Sequence, residues 1–350
     1  MVTEVPDRAV LPATSRWRAM AGWKKASLAL VLLFAVLCAG LAVLGFGLKH
    51  RYESRVQRED ILGQGAGPRD ERRWDSGPLN LLLLGSDSRD GEPDQALYPG
   101  ERSDTIMLVH INAKREAATV VSIPRDSYVD VPASGQSWPG GPNKINAAFA
   151  FGGAALTAET VARLAGVPLD GVLVANFAAV RKLVDAVDGV NVCLPYTVKS
   201  SDTGVTWPAG CHDLDGKAAD DLMRQRHGVP GGDFGRIHDQ QLVVRALAER
   251  VSTTGLLTKP ARLDRVLTTA AESLIVDRDL DLGDLAFALR RLRPEAVQFV
   301  TVPFSDANLQ TPAGSAVRLD EARAPELFAA LREDRMAQWL VANPQTPPAN

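Results

Sequence analysis

Residues 224 to 236 read RQRHGVPGGDFGR, placing Arg224, Arg226, Asp233 and Arg236 among four glycines and a proline. A guanidinium stays protonated and grips phosphate oxygens in pairs, so a dense arginine cluster is equipment for holding an anion. Three further stretches add to it. LLLLGSDSRDG runs an apolar segment into Ser86, Asp87, Ser88, Arg89 and Asp90; ERSDTIMLVHIN sets Arg102 and Asp104 just ahead of another; VVSIPRDSYVDVP ends a third in Arg125 and Asp126. Aspartate oxygens suit Mg²⁺, which bridges phosphate oxygens, so arginine and aspartate together fit a pyrophosphate and phosphoryl transfer, which needs cations more than a strong nucleophile.

Spacing sharpens the cluster. Residues two apart diverge on a helix and share one side of an extended segment, so Arg224 and Arg226 cooperate if the helix in DGKAADDLM ends near them. His227-Gly228 supports that ending. Pro230, Gly231 and Gly232 permit a tight turn, Asp233 can cap the next helix, and Arg236 falls in its first turn. All three arginines can then converge on one anion.

Other chemistries lack support. The chain has no P-loop, no H-E-x-x-H and no G-x-S-x-G, and its five histidines show no ligand spacing and read as structural. A net charge of −3 over 350 residues argues against nucleic acid as a partner and makes any anion site local.

The elements that position these residues follow from apolar patterning. NLLLLG, TIMLVHIN, ATVVSI, GVLVAN and VQFVTVP are short apolar runs of the kind seen in strands covered on both faces. INAAFAFGGAALTAETVARLAG, FAAVRKLVDAVDG, DFGRIHDQQLVVRALAERVST, DRVLTTAAESL and LDEARAPELFAALR carry helical periodicity. Their alternation predicts a three-layer α/β/α domain with a mixed central sheet over residues 79–337. Ahead of it, residues 26–48 carry no charge and are long enough to cross a membrane; Lys24 and Lys25 favour an inside amino terminus. The predicted layout is a cytoplasmic segment at 1–25, a transmembrane helix at 26–48, a charged extracytoplasmic linker at 49–78, and a Pro-rich disordered tail at 338–350. Export makes a Cys193–Cys211 disulfide the expected state, two separate thiols being the alternative.

Taken in order, NLLLLGSDSRDG, RSDTIMLVHIN, VSIPRDSYVDVP, NKINAAFAFGG, DAVDGVNVCLP and RQRHGVPGGDFGRIHDQQ resemble the LytR-CpsA-Psr family of cell-envelope proteins, from about Asn80 to Leu247. Composition rich in Ala, Arg and Val and poor in Lys suggests an actinobacterial member. The resemblance implies a membrane-anchored phosphotransferase that moves a glycopolymer from a polyprenyl-pyrophosphate carrier to a peptidoglycan sugar hydroxyl, with Mg²⁺ or Mn²⁺ assisting. By motif, Asp87 and Asp104 match metal-binding aspartates, and these two with Arg102 form the expected catalytic set. Arg102, Arg125, Arg224, Arg226 and Arg236 match pyrophosphate-binding arginines, with Asp233 and Gln240 beside them. Phe149, Phe151, Val174 and Leu222 are candidates for lining a lipid pocket. The chain departs from the family at Asp239, where a basic residue is common, and in a fairly long insert between Asp87 and Arg102. Alternatives are a polyprenyl-pyrophosphate hydrolase at the same site, or a non-catalytic lipid-glycan binding or regulatory protein.

Overall fold

A computed structural model describes residues 54–63, 77–86, 103–226, 228–253 and 259–344. The expected cytoplasmic segment, membrane helix and most of the linker lie outside the described residues, as do Asp87, Arg102 and the end of the tail. Among the described residues no helix is long and apolar enough to cross a membrane.

A seven-stranded mixed sheet runs in the order β1 (Gln57–Glu59), β12 (Leu274–Asp277), β7 (Gly171–Asn176), β2 (Leu79–Ser86), β3 (Ser103–Ile111), β4 (Ala118–Ser122) and β13 (Val297–Thr301). β2 is parallel to β7 and antiparallel to β3, and β4 is antiparallel to β3 and parallel to β13. The carboxyl ends of β2, β7, β4 and β13 therefore share one edge with the start of β3. That edge is where α/β sheets collect ligands.

The uninterrupted apolar strands are explained by cover on both faces. Leu82, Leu84, Ile106 and Leu108 pack on one side in a core with α1 (Ile145–Ala165), α7 (Arg323–Arg332) and α8 (Met336–Ala342). Leu79, Leu81, Ile111 and Val276 turn to the other side, toward α5 (Pro260–Ser273) and α6 (Leu282–Leu289). α2 (Phe177–Ala186), α3 (Gly216–Arg224) and α4 (Asp233–Thr253) extend that second layer and share a core with the β8 (Val190–Leu194) and β11 (Gly210–Leu214) ribbon. Smaller pairs are β5 (Tyr128–Val131) with β6 (Gly141–Lys144), β9 (Val198–Lys199) with β10 (Thr206–Trp207), and β14 (Phe304–Thr311) with β15 (Gly314–Leu319).

Several boundaries differ from the sequence reading. The expected linker contributes β1: Val56 and Ile61 are buried, and the Asp277 carboxylate accepts hydrogen bonds from the Ile61 and Leu62 amides. Charged flanks are usual on an edge strand, which is why this one resembles a tether. At the other end α8 runs past residue 337 because Trp339 is buried in the core, so the tail is shorter than expected. β12 was hidden behind a helical stretch, and the β14–β15 hairpin behind its largely exposed polar side chains. α1 is interrupted at Gly152 and Gly153.

Cys193 and Cys211 face each other in register across β8 and β11 and are bonded. A Cys193→Ser, Cys211→Ser double variant should lose about 3 kcal/mol, the loop-closure value for a cross-link spanning 18 residues. Urea unfolding checks this, and an unchanged midpoint would contradict it.

Candidate functional site

The site is built on an irregularity in β3. Gly85 pairs with Thr105 and the adjacent Ser86 with Ser103, so Asp104 is an extra residue without a partner opposite it, a β-bulge. Bulges re-aim side chains next to functional sites, and this one turns the Asp104 carboxylate out of the pleat. Gly85 is required here, because a Cβ at that position would fall 2.6 Å from the Thr105 Cβ.

Asp104 is 7% exposed and surrounded by guanidiniums. Arg125 Nη1 donates to Oδ1 at 2.5 Å, Arg226 Nη2 donates to Oδ2 at 2.8 Å, and Arg236 Nη1 stands 3.8 Å from Oδ2. Burial alone would raise the pKa of this carboxyl. The charges of Arg125, Arg236 and Arg226 outweigh burial and hold it below its ordinary value, so it is ionised at neutral pH. Asp233 lies 3.5 Å from Arg125, 3.3 Å from Arg236 and 3.9 Å from Arg226.

Arg236 is 1% exposed, an unusual place for a cation. Burial, then repulsion from Arg125, pushes its pKa down to about 10, which still leaves it charged at pH 7. Its Nε and Nη2, and Nε of Arg125, make no hydrogen bond although buried. Buried donors of this kind are expensive without an acceptor. Arg125, Arg226, Arg236 and Lys144 face Asp104, Asp233 and Asp126, which leaves donors without a close acceptor and one net positive charge, the two properties an anion site needs.

The turn anticipated in RQRHGVPGGDFGR delivers two of its three arginines. α3 ends at Arg224, Gln225 is extended, and Arg226 leaves the helix toward Asp104. Gly231 and Gly232 have φ of +78° and +58°, a left-handed conformation that glycine adopts without strain, and α4 begins at Asp233. Arg236 then points inward from the first turn of α4. Arg224, the last helical residue, donates to Asp220 at 2.6 Å, and its guanidinium lies 4.3 Å from the centroid of the Phe177 ring. The Gln240 amide accepts from Thr105 at 2.9 Å and donates to the Met223 carbonyl, joining β3, α3 and α4 beside the bulge. Asp87 and Arg102 cannot be placed, lying outside the described residues.

An apolar cavity of about 200 Å³ adjoins the bulge. Gly85, Ser86, Thr105 and Gln240 form the end near the arginines, and Leu83, Met107, Phe177, Val180, Met223 and Val244 line the rest. Of the residues proposed for a lipid pocket, Phe149 and Val174 line a neighbouring polar cavity, Phe151 stacks on Trp138, and Leu222 is fully packed in the core. The lining of the apolar cavity could not be read from sequence, because it combines one sheet face with three separate helices.

On α4, Asp239 is a buried acid. Asp239 accepts a hydrogen bond from the Tyr196 hydroxyl at 2.9 Å, and its other oxygen has no partner. Burial pushes its pKa up to about 7, and burial together with Asp239 pushes the Tyr196 hydroxyl well up as well. Asp239 thus supports helix packing and does not face the arginines. His110 is structural in the same way, linking Asn80 to Asp334 across the far end of the sheet.

The donor set fits a divalent cation in part. Asp104 offers ionised hard oxygens, the ligand type Mg²⁺ takes, but the arginines already occupy them, and among the described residues no group of three His, Cys, Asp or Glu side chains could hold a metal.

A model of the LytR_cpsA_psr family matches residues 50–333. The cell wall biosynthesis protein LcpA of Corynebacterium glutamicum is 31% identical over 313 residues, covering 79% of this chain and 58% of that protein. The polyisoprenyl-teichoic acid–peptidoglycan teichoic acid transferase TagU of Enterococcus faecalis is 33% identical over 205 residues, covering 58% of this chain and 63% of that protein. The chain thus spans about three fifths of the length of these relatives. Among solved structures, protein gbs0355 from Streptococcus agalactiae shares the fold, with a TM-score of 0.64 at 21% identity over 77% of this chain and 91% of that one.

The Asp239 geometry predicts a pH signature. Between the unfolded value of 3.8 and the folded value of about 7 the native state keeps a proton that the unfolded chain has lost, so stability falls as pH rises through that window. Asp239→Asn removes the penalty. Urea unfolding should find the variant equal to wild type near pH 4 and more stable at pH 8, by up to about 4 kcal/mol at roughly 1.4 kcal/mol per unit.

Proposed function

The chain belongs to the LytR_cpsA_psr family, and from that premise we propose that it is a cell-envelope phosphotransferase, moving a glycopolymer from a polyprenyl-pyrophosphate carrier to a peptidoglycan sugar hydroxyl. The observation that carries this reading is the junction of two environments. Arg125, Arg226 and Arg236 gather unspent donors around Asp104, and an apolar cavity begins at the neighbouring residues Gly85 and Thr105. A molecule with a hydrocarbon chain joined to a pyrophosphate has the same two parts in the same order. The named activity of TagU, a polyisoprenyl-linked transfer to peptidoglycan, is of this chemical type.

In the proposed reaction the arginines bind the pyrophosphate and neutralise charge that builds on the phosphoryl and leaving oxygens. The acceptor hydroxyl attacks the phosphorus next to the glycan, and a new P–O bond forms. The bond to the bridging oxygen breaks, and its electron pair leaves with polyprenyl phosphate, whose departing oxygen can take up the acceptor proton. Asp104 is badly suited to take the acceptor proton, since three guanidiniums stabilise its ionised form. Its role is to hold Arg125, Arg226 and Arg236 in one place. Bound through Asp104 and Asp87, Mg²⁺ or Mn²⁺ would supply further neutralisation of the phosphate oxygens. Residues 26–48 would anchor the domain beside its lipid substrate.

The test uses a lipid-pyrophosphate glycan, a divalent cation and peptidoglycan oligomers with the full chain in detergent. Arg226→Ala removes a half-exposed side chain and should lower transfer about 100-fold or more, the scale for losing one preorganised donor to a developing anion. Unchanged turnover would remove the assignment. Free glycan in place of a glycan–peptidoglycan adduct would instead identify a hydrolase.

A further inference from the structure

A second cavity touches the arginine cluster from the other side. It has a volume of about 280 Å³, and Arg125 and Arg236 form part of its wall together with Asp126, Lys144, Phe234 and Ser315. It shares no lining residue with the apolar cavity. Along α4, Phe234, Arg236 and Ile237 line this cavity, whereas Gln240 and Val244, one and two turns on, line the apolar one. Across the sheet the order is the same. The apolar cavity lies against β7, β2 and β3, and the second lies beyond β4, against the start of α4 and the β14–β15 hairpin. The charged cluster stands between them.

That placement has a stereochemical consequence. Displacement at phosphorus runs in line, with nucleophile and leaving oxygen on opposite sides. If the leaving polyprenyl phosphate is held toward the apolar cavity, the attacking hydroxyl must approach from the opposite side, where the second cavity lies. We infer that the cavity bounded by Asp126, Lys144, Phe234 and Ser315 is the acceptor-sugar subsite, an assignment that rests on the phosphotransferase reading above.

Its chemistry suits a polyhydroxylated ligand. Every polar contact of the Asp126 carboxylate is long: 3.4 Å to Lys144, 3.5 Å to Arg125 and 3.5 Å to Asn146. Contacts at this limit leave its oxygens free to accept stronger bonds from sugar hydroxyls. Lys144 Nζ can donate to ring substituents, and the Ser315 hydroxyl, which donates to Asn308 Oδ1 at 2.5 Å, can accept from them. Phe234 supplies an apolar wall and is itself fixed by stacking on Phe304, with ring centroids 4.1 Å apart. A few convergent polar groups beside an aromatic surface are the usual make-up of a small-molecule subsite.

The test separates donor from acceptor. The full chain in detergent is given a polyprenyl-pyrophosphoryl disaccharide as donor and a peptidoglycan tetrasaccharide as acceptor. Lys144→Gln removes a contact, and Ser315→Tyr fills the cavity from an exposed hairpin position where folding is not at risk. Both should raise the acceptor KM about tenfold or more and leave the donor Kd within about twofold. An acceptor KM unchanged in Ser315→Tyr overturns the assignment, and so does an equal loss in donor affinity, which would put the donor glycan in this cavity. Failure of the wild type to form any adduct overturns the phosphotransferase reading and this assignment with it. A working wild type beside unaffected variants overturns the assignment alone.

Discussion

The site depends on one constraint: a guanidinium that is almost wholly buried has to be neutralised. Arg236 is carried inward by the first turn of α4, and Asp104 and Asp233 are the carboxylates within reach. Removing a partner from a buried charge is far more damaging than the net worth of the pair, so the groups around it are held together. Asp104 can serve only because a bulge lifts it out of the sheet, and the bulge can form only because Gly85 lets Thr105 approach. Each of these local oddities follows from the burial of one cation.

The same constraint explains how a chain of negative net charge can hold an anion. Arg125 and Arg226 both donate to Asp104, the carboxylate that also offsets Arg236, and with Lys144 the cations exceed Asp104, Asp126 and Asp233 by one. The excess is confined to a few ångströms at one edge of the sheet. Net charge over 350 residues says little about a field of such short range.

Around this point lie two different spaces. One is hydrocarbon-lined, between the sheet and α2, α3 and α4; the other, past the end of β4, mixes charged and apolar side chains. α4 connects the two, since its first turn lines the mixed cavity and supplies Arg236 and its next turns wall the apolar cavity. Its rigidity is supported from behind by Asp239 and Tyr196.

Much of this was legible in the residues themselves. Strand and helix periodicity located the central strands and long helices, because a face buried on packing must be apolar at a regular interval. Arg125, Arg226, Asp104, Asp233 and Arg236 announced themselves by their type and their position at strand ends and turns. What could not be read was direction. Arg224 and Arg226 look equivalent in RQRHGVPGG, but the last turn of α3 keeps Arg224 on Asp220 and releases Arg226, and that depends on where a helix frays. Gln240 also ties β3, α3 and α4 together through Thr105 and the Met223 carbonyl, which its place in the sequence does not show. Lys144 gave no signal, since a lone lysine before a helix is ordinary until β15 and α4 close over it. Sequence by itself determined the central strands, the long helices and which charges are available, because these are local properties of residue type and spacing. Only the tertiary structure decided which charges meet and what spaces lie on either side of them, because those depend on contacts between separate elements, such as Asp104 with Arg226 and Arg236.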